Sequence, residues 1–162
     1  MKPFVITRTF DAPIDLMFKV WTDPAHLQKW LAPKGTISHF VKADVRTGGS
    51  VHYYTQMPDG TKMWGMTEYQ EITKPSTLVY NQWFSDEKGG VTTHPMSQTW
   101  PKLMRTTVKF EPQGNQTKLT LEWIPLDATK EELETFEQAM AGMNQGWGGT
   151  FEQLDQYLKE VP

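Results

Sequence analysis

The sequence predicts an α+β domain: a curved antiparallel sheet of about seven strands, two short helices at one end, and one long C-terminal helix lying over an apolar pocket. Three observations predict it. From about residue 36 to 124 apolar residues recur with period two, in segments separated by tight turns. From 129 to 160 the period lengthens to that of an amphipathic helix. Ahead of both lies a strand-like segment followed by two short stripes that each begin at a proline.

Residues 3–10 alternate loosely, with Phe4 and Ile6 apolar and Thr7 and Arg8 polar, and read as the first strand. Asp11-Ala12-Pro13 opens a helix, proline being suited to the first helical position. Ile14, Met17, Phe18 and Trp21 then form one buried stripe. Asp23 is a good N-cap and Pro24 a good first residue for a second short helix, which carries Leu27 and Trp30 inward until Pro33-Lys34-Gly35 ends it. Strands are expected at 37–46, 49–57, 61–72, 77–84, 103–111 and 117–124. The breaks are Gly48-Gly49, Pro58-Asp59-Gly60, Lys74-Pro75-Ser76 and Gln113-Gly114-Asn115, short enough to make sequential antiparallel hairpins. Leu119, Leu121 and Trp123 face one way, Lys118, Thr120 and Glu122 the other. Met104, Thr106, Val108 and Phe110 likewise oppose Arg105, Thr107 and Lys109. Such a dry face must be covered.

The cover is 129–160. Thr129 and Glu132 form a capping box, and Leu133, Phe136, Met140, Met143, Trp147, Phe151, Leu154 and Leu158 recur at steps of three and four. Gly142, Gly146, Gly148 and Gly149 interrupt this helix, each costing about 1 kcal/mol of propensity relative to alanine. They imply either close approach of the helix to the sheet, or a kink, or room left for a ligand beside Met143 and Trp147. Two further points stay open. Segment 85–101 has no period and reads equally as a lid or a mobile loop. Around Trp64, Gly65 either forms a bulge that turns the indole inward or leaves it exposed.

Composition narrows the function. With a net charge of −3 there is no basic field for nucleic acid, and the absence of cysteine excludes disulfides, thiolate metal sites and a thiol nucleophile. The N-terminus turns polar too soon for a signal-peptide core and no segment has the length of a membrane span, so a cytoplasmic protein is expected. Aromatics make up 12% of the chain, with seven tryptophans, although mean hydropathy is only −0.56. Large flat side chains in a polar background suit a core of few big residues or the wall of a cavity.

The order of elements, together with Phe10-Asp11-Ala12-Pro13, Trp21-Thr22-Asp23-Pro24, Trp30 before Pro33, Asp44-Val45-Arg46-Thr47-Gly48-Gly49, Pro58-Asp59-Gly60, Glu71-Ile72 before Pro75, and Gly146-Trp147 with Leu154 and Leu158, resembles the START-like superfamily, also called SRPBCC or Bet v 1-like. The branch it resembles is named for homology to the C-terminal domain of the activator of the heat shock protein 90 ATPase. The resemblance runs from about residue 4 to 158. It implies a single helix-grip domain over 1–162 with an internal pocket, in a superfamily of lipid and polyketide binders, cyclases and hydrolases. The activators that give the branch its name carry a separate N-terminal domain with a basic activating segment. No counterpart of it is read in this chain, so chaperone activation is not carried over.

Chemistry-bearing residues are sparse. His26, His39, His52 and His94 fall in different elements with no close-spaced pair, so no metal site is expected; His52 reads as outward-facing, and His94 as able to swing over the pocket mouth. No phosphate loop, dinucleotide fingerprint or nucleophile elbow is present, and no cofactor is expected. Glu131, Glu132 and Glu134 suit a helix start. The leading expectation is a small apolar or aromatic ligand held by Tyr53, Val108, Phe110, Leu121, Trp123, Met143 and Trp147, with Tyr69 or Arg105 orienting it. Trp83 joins this set by the resemblance and by its position at a strand end. The alternatives are a hydrolase or cyclase acting in the same pocket, for which no catalytic residue is identified, and a chaperone-linked interaction protein that activates an ATPase. A homodimer is open to a domain of this size.

Overall fold

The computed structural model describes residues 2–33, 35–95 and 97–161. Among these residues the chain runs β1 (Phe4–Phe10), α1 (Ile14–Thr22), α2 (Pro24–Trp30), β2 (Ile37–Ala43), β3 (Ser50–Gln56), β4 (Lys62–Thr73), β5 (Thr77–Phe84), β6 (Leu103–Gln113), β7 (Gln116–Leu126), α3 (Lys130–Gln138) and α4 (Met140–Glu160). The strands form a seven-stranded antiparallel sheet in the order β1-β7-β6-β5-β4-β3-β2. Consecutive hairpins account for every pairing but one: β1 joins the last strand, β7. The α1–α2 link therefore carries the chain from one edge of the sheet to the other. No described helix is long and apolar enough to cross a membrane.

Each start and stop has a local cause. Pro13 precedes α1, and Asp23 accepts a hydrogen bond from Ala25 N at 3.0 Å, with Pro24 at the first position of α2. Helix α2 ends at Trp30, ahead of Pro33; Lys34 of the expected stop lies outside the described residues, as does Met96 of segment 85–101. Asp23→Ala should lower stability by about 1 kcal/mol, read as a shifted urea midpoint at unchanged slope.

The core fills one half of the dry face. Phe10, Val108, Phe110, Leu119 and Leu121 point from β1, β6 and β7 into a cluster with Met17, Trp21 and Trp30 of the short helices and Phe151 and Leu154 of α4, all at most 2% exposed. Edge-to-face aromatic pairs knit it: Phe10–Phe151 at 5.4 Å, Phe18–Phe110 at 5.5 Å and Trp21–Trp30 at 4.7 Å between ring centres.

The C-terminal cover departs from expectation in one respect. The helix expected over 129–160 is two helices, broken at Ala139 (φ −87°, ψ −4°), whose N–H is shared among carbonyls of α3. The break lies upstream of the glycines, and α4 runs unbroken through all four of them. Its C-terminal half is tied down. Arg8 on β1 pairs with Asp155, Gln153 donates to the Trp30 and Ala32 carbonyls at 3.0 and 2.7 Å, and Tyr157 Oη meets His26 Nδ1 at 2.6 Å. These contacts and the burial of Phe151 and Leu154 offset the poor helix propensity of Gly142–Gly149.

The register around Trp64 is regular. Gly65 pairs with Tyr53 on the concave face, and Trp64 points outward against Tyr54 and His52 at 4.9 and 5.1 Å. The bulge of β4 lies instead between Tyr69 and Glu71, which puts Glu68 and Glu71 together on the outer face.

Candidate functional site

Between the glycine-bearing half of α4 and the concave face of β2 to β5 lies a cavity of about 1300 Å³, above the ~300–1000 Å³ usual for ligand pockets. Its position follows from where α4 is anchored. The helix is anchored on β1 and α2, and on the opposite half of the sheet small or polar side chains (Thr55, Thr67, Gln82) stand between the larger rings of the floor and leave a gap. The glycines complete it. Gly142, Gly146 and Gly149 line the space, and a methyl group added at any of these, or at Gly148, would meet no atom within 4 Å. Close approach to the sheet is therefore not what these glycines serve.

One wall is aromatic. Trp100 stands 5.9 Å from Trp123, which stands 6.1 Å from Trp147. The floor carries phenols. Tyr53 lies across Gly65, where any Cβ would fall 2.5 Å from its ring tip, and Tyr69 packs edge-on to Tyr80 at 5.7 Å. Burial raises the pKa of the Tyr53 hydroxyl and drives those of Tyr69 and Tyr80 well above the ordinary phenol range, where proximity of the phenols to one another adds to the rise. The sign is definite: above about pH 10 the unfolded chain releases these protons and the folded chain retains them, so stability falls as pH rises. The unfolding free energy from urea titrations should therefore fall between pH 10 and 12 by roughly 1.4 kcal/mol per pH unit for each of Tyr69 and Tyr80, and Tyr69→Phe should flatten that slope.

Of the expected pocket residues, Tyr53, Tyr69, Trp123, Met143 and Trp147 line the cavity. Five do not. Val108, Phe110 and Leu121 face inward as their alternation requires, but in the filled half of the sheet, Phe110 against Phe18 and Trp21. Arg105 sits on the outer face, its Nε donating to Asn81 Oδ1 at 3.0 Å. Trp83 also points outward, its Nε1 donating to Gly89 O at 3.2 Å. Parity gave the right face for the first three; nothing local tells which half of that face is solid.

The described residues of segment 85–101 divide between the two faces of the sheet. Residues 85–90 fold back onto the outer face, where Asp86 O and Ser85 Oγ meet His52 Nε2 at 3.2 and 3.4 Å, so His52 faces outward yet is buried. The remainder crosses to the cavity, bringing His94 and Trp100 to its mouth; Thr99 there hydrogen-bonds Thr135 of α3 at 2.9 Å. Partial burial lowers the His94 pKa. Trp100 and Tyr80 were not among the expected residues. Tyr80 shares the inward parity of Leu78 and could have been read from it, whereas Trp100 lies in a segment with no period to read.

The sequence pattern of the activator of Hsp90 ATPase homolog 1-like proteins matches residues 11–159. The chain belongs to that family. Its fold is the helix-grip architecture of the START-like (SRPBCC) superfamily, and solved family-type structures superpose over nearly all of it. A protein of Arthrobacter aurescens is 30% identical with a TM-score of 0.80, covering 98% of this chain and 87% of its own. One from Mycobacterium smegmatis is 25% identical at 0.77, over 98% and 91%. An AHSA1 protein of Silicibacter pomeroyi, 16% identical at 0.71 over 98% of each chain, shares the fold. A search of curated proteins finds no match. This family's fold is compatible with a ligand held between sheet and helix.

Proposed function

We propose that this chain is a single binding domain that holds a small, predominantly apolar or aromatic molecule in the cavity between α4 and β2 to β5. The observation that carries this reading is the cavity itself, with Gly142, Gly146 and Gly149 on its rim: exposed positions that weaken the helix and spare no steric clash. Holding a poor helix-forming segment over a gap costs stability, and a cavity that admits a ligand gives that cost a purpose. The tryptophan wall supplies stacking surface for a flat molecule, and Met143 an adaptable apolar contact. The pocket members of this proposal are Tyr53, Tyr69, Tyr80, Trp123, Met143 and Trp147.

Four tryptophans among the lining residues make the test direct. Titration with a panel of naphthalene derivatives and medium-chain fatty acids should quench or shift intrinsic emission saturably, and native mass spectrometry should detect the matching one-to-one complexes. Emission unchanged across the panel, together with the bare-chain mass throughout, would sink the reading.

A further inference from the structure

The wall of the cavity holds more hydrogen-bond donors than it uses. At one corner a polar neighbour is at hand: Tyr80 adjoins Thr106, whose hydroxyl donates to Gln82 Oε1 at 3.0 Å. No hydrogen bond among the described residues engages the Tyr53 or Tyr69 hydroxyl, and neither oxygen is sealed from the cavity. Two more wall donors, Trp21 Nε1 and Trp123 Nε1, are sealed behind neighbouring side chains without an acceptor. Of the three lining phenols, the two with no hydrogen-bonding neighbour are Tyr53 and Tyr69. Both are protonated, and so able to donate, at neutral pH, as any phenol is, and burial moves their ionisation further away.

Charge narrows the choice further. Among the described lining residues there is no lysine or arginine, and the ionisable groups other than phenols are His94 and Glu152. A carboxylate or phosphate entering this space would lose its hydration without gaining a counter-ion. A pure hydrocarbon would displace water from the phenols and leave their protons unmatched. A neutral molecule with one good acceptor avoids both penalties. We infer that the cavity selects neutral, largely apolar molecules bearing a carbonyl-type oxygen, and that the Tyr53 and Tyr69 hydroxyls are the donors that receive it. This inference rests on the binding function proposed above.

The test uses three probes of one shape: 2-acetylnaphthalene, 2-ethylnaphthalene and 2-naphthoate, titrated calorimetrically into the native chain and into the Tyr53→Phe/Tyr69→Phe variant. The ketone should bind the native chain about five- to tenfold more tightly than the hydrocarbon, with the carboxylate weakest. In the double variant the ketone should lose its advantage over the hydrocarbon, while hydrocarbon affinity should rise, because no unmatched phenol protons remain for it to bury. Equal binding of ketone and hydrocarbon, a ketone preference that survives the double substitution, or tightest binding by 2-naphthoate would each overturn this inference and leave the binding function standing. Failure of all three probes to bind the native chain would overturn both.

Discussion

Replacing Gly142, Gly146, Gly148 and Gly149 together by alanine should make the protein more stable, not less. Each substitution recovers up to about 1 kcal/mol of helix propensity, and each new methyl enters open space. The sum, about 3 kcal/mol, corresponds to a rise in Tm of about 10 °C for a domain of this size. Larger side chains at the same positions should separate stability from binding. Gly146→Phe projects a ring into the cavity and should weaken any naphthalene probe by about 1–3 kcal/mol, roughly five- to hundredfold, while the thermal midpoint holds or rises. A four-alanine variant that melts at a lower temperature than the native chain would mean that the helix is in close contact there, and the cavity would lose its basis. The experiment needs only a melting curve.

Phe151→Ala should produce the largest loss of stability among single substitutions in α4. The ring is fully buried, 5.4 Å from Phe10, 6.5 Å from Trp21 and 5.7 Å from Trp147, and it joins the helix to both β1 and α1. Its removal should cost about 3–5 kcal/mol, a large part of the ~5–15 kcal/mol by which domains are stable. Trp147, four residues earlier on the same stripe, provides the contrast. It is the larger side chain, but it lines the cavity and is only half-buried, so Trp147→Ala removes fewer packed neighbours. It should cost less than half as much in urea unfolding and instead weaken ligand binding. Equal destabilisation by the two substitutions would place Trp147 in solid core.

The two residues also show how far the sequence could be read. Phe151 and Trp147 are equivalent members of one helical stripe, and periodicity assigns both inward. It does so correctly. What it does not contain is the tilt of α4, set by contacts between segments over a hundred residues apart: Arg8 with Asp155, Gln153 with the Trp30 and Ala32 carbonyls, and His26 with Tyr157. That tilt makes one end of the stripe core and the other the roof of a cavity. The same reasoning explains Val108, Phe110 and Leu121, correctly assigned to the dry face but found in its filled half. Arg105 and Trp83 lie outside the cavity for a different reason: Arg105 was chosen for its chemistry against the parity of its strand, and Trp83 by the resemblance and its position at a strand end, where no firm parity was read; both point outward. Trp100 was illegible because 85–101 has no period to read, and its placement depends on Thr99 meeting Thr135 and on tilted ring contacts with Trp123 and Phe136.

Taken alone, the residues determined the kind and order of the elements: alternation specifies a half-buried strand, three-and-four spacing a half-buried helix, and proline, aspartate and glycine mark where each begins and turns. Those are properties of neighbouring residues and need no third dimension. Which part of the buried face is solid and which is hollow was decided by tertiary structure. It depends on the angle at which one helix crosses a curved sheet, and that angle is the joint result of contacts between parts of the chain that share no local pattern.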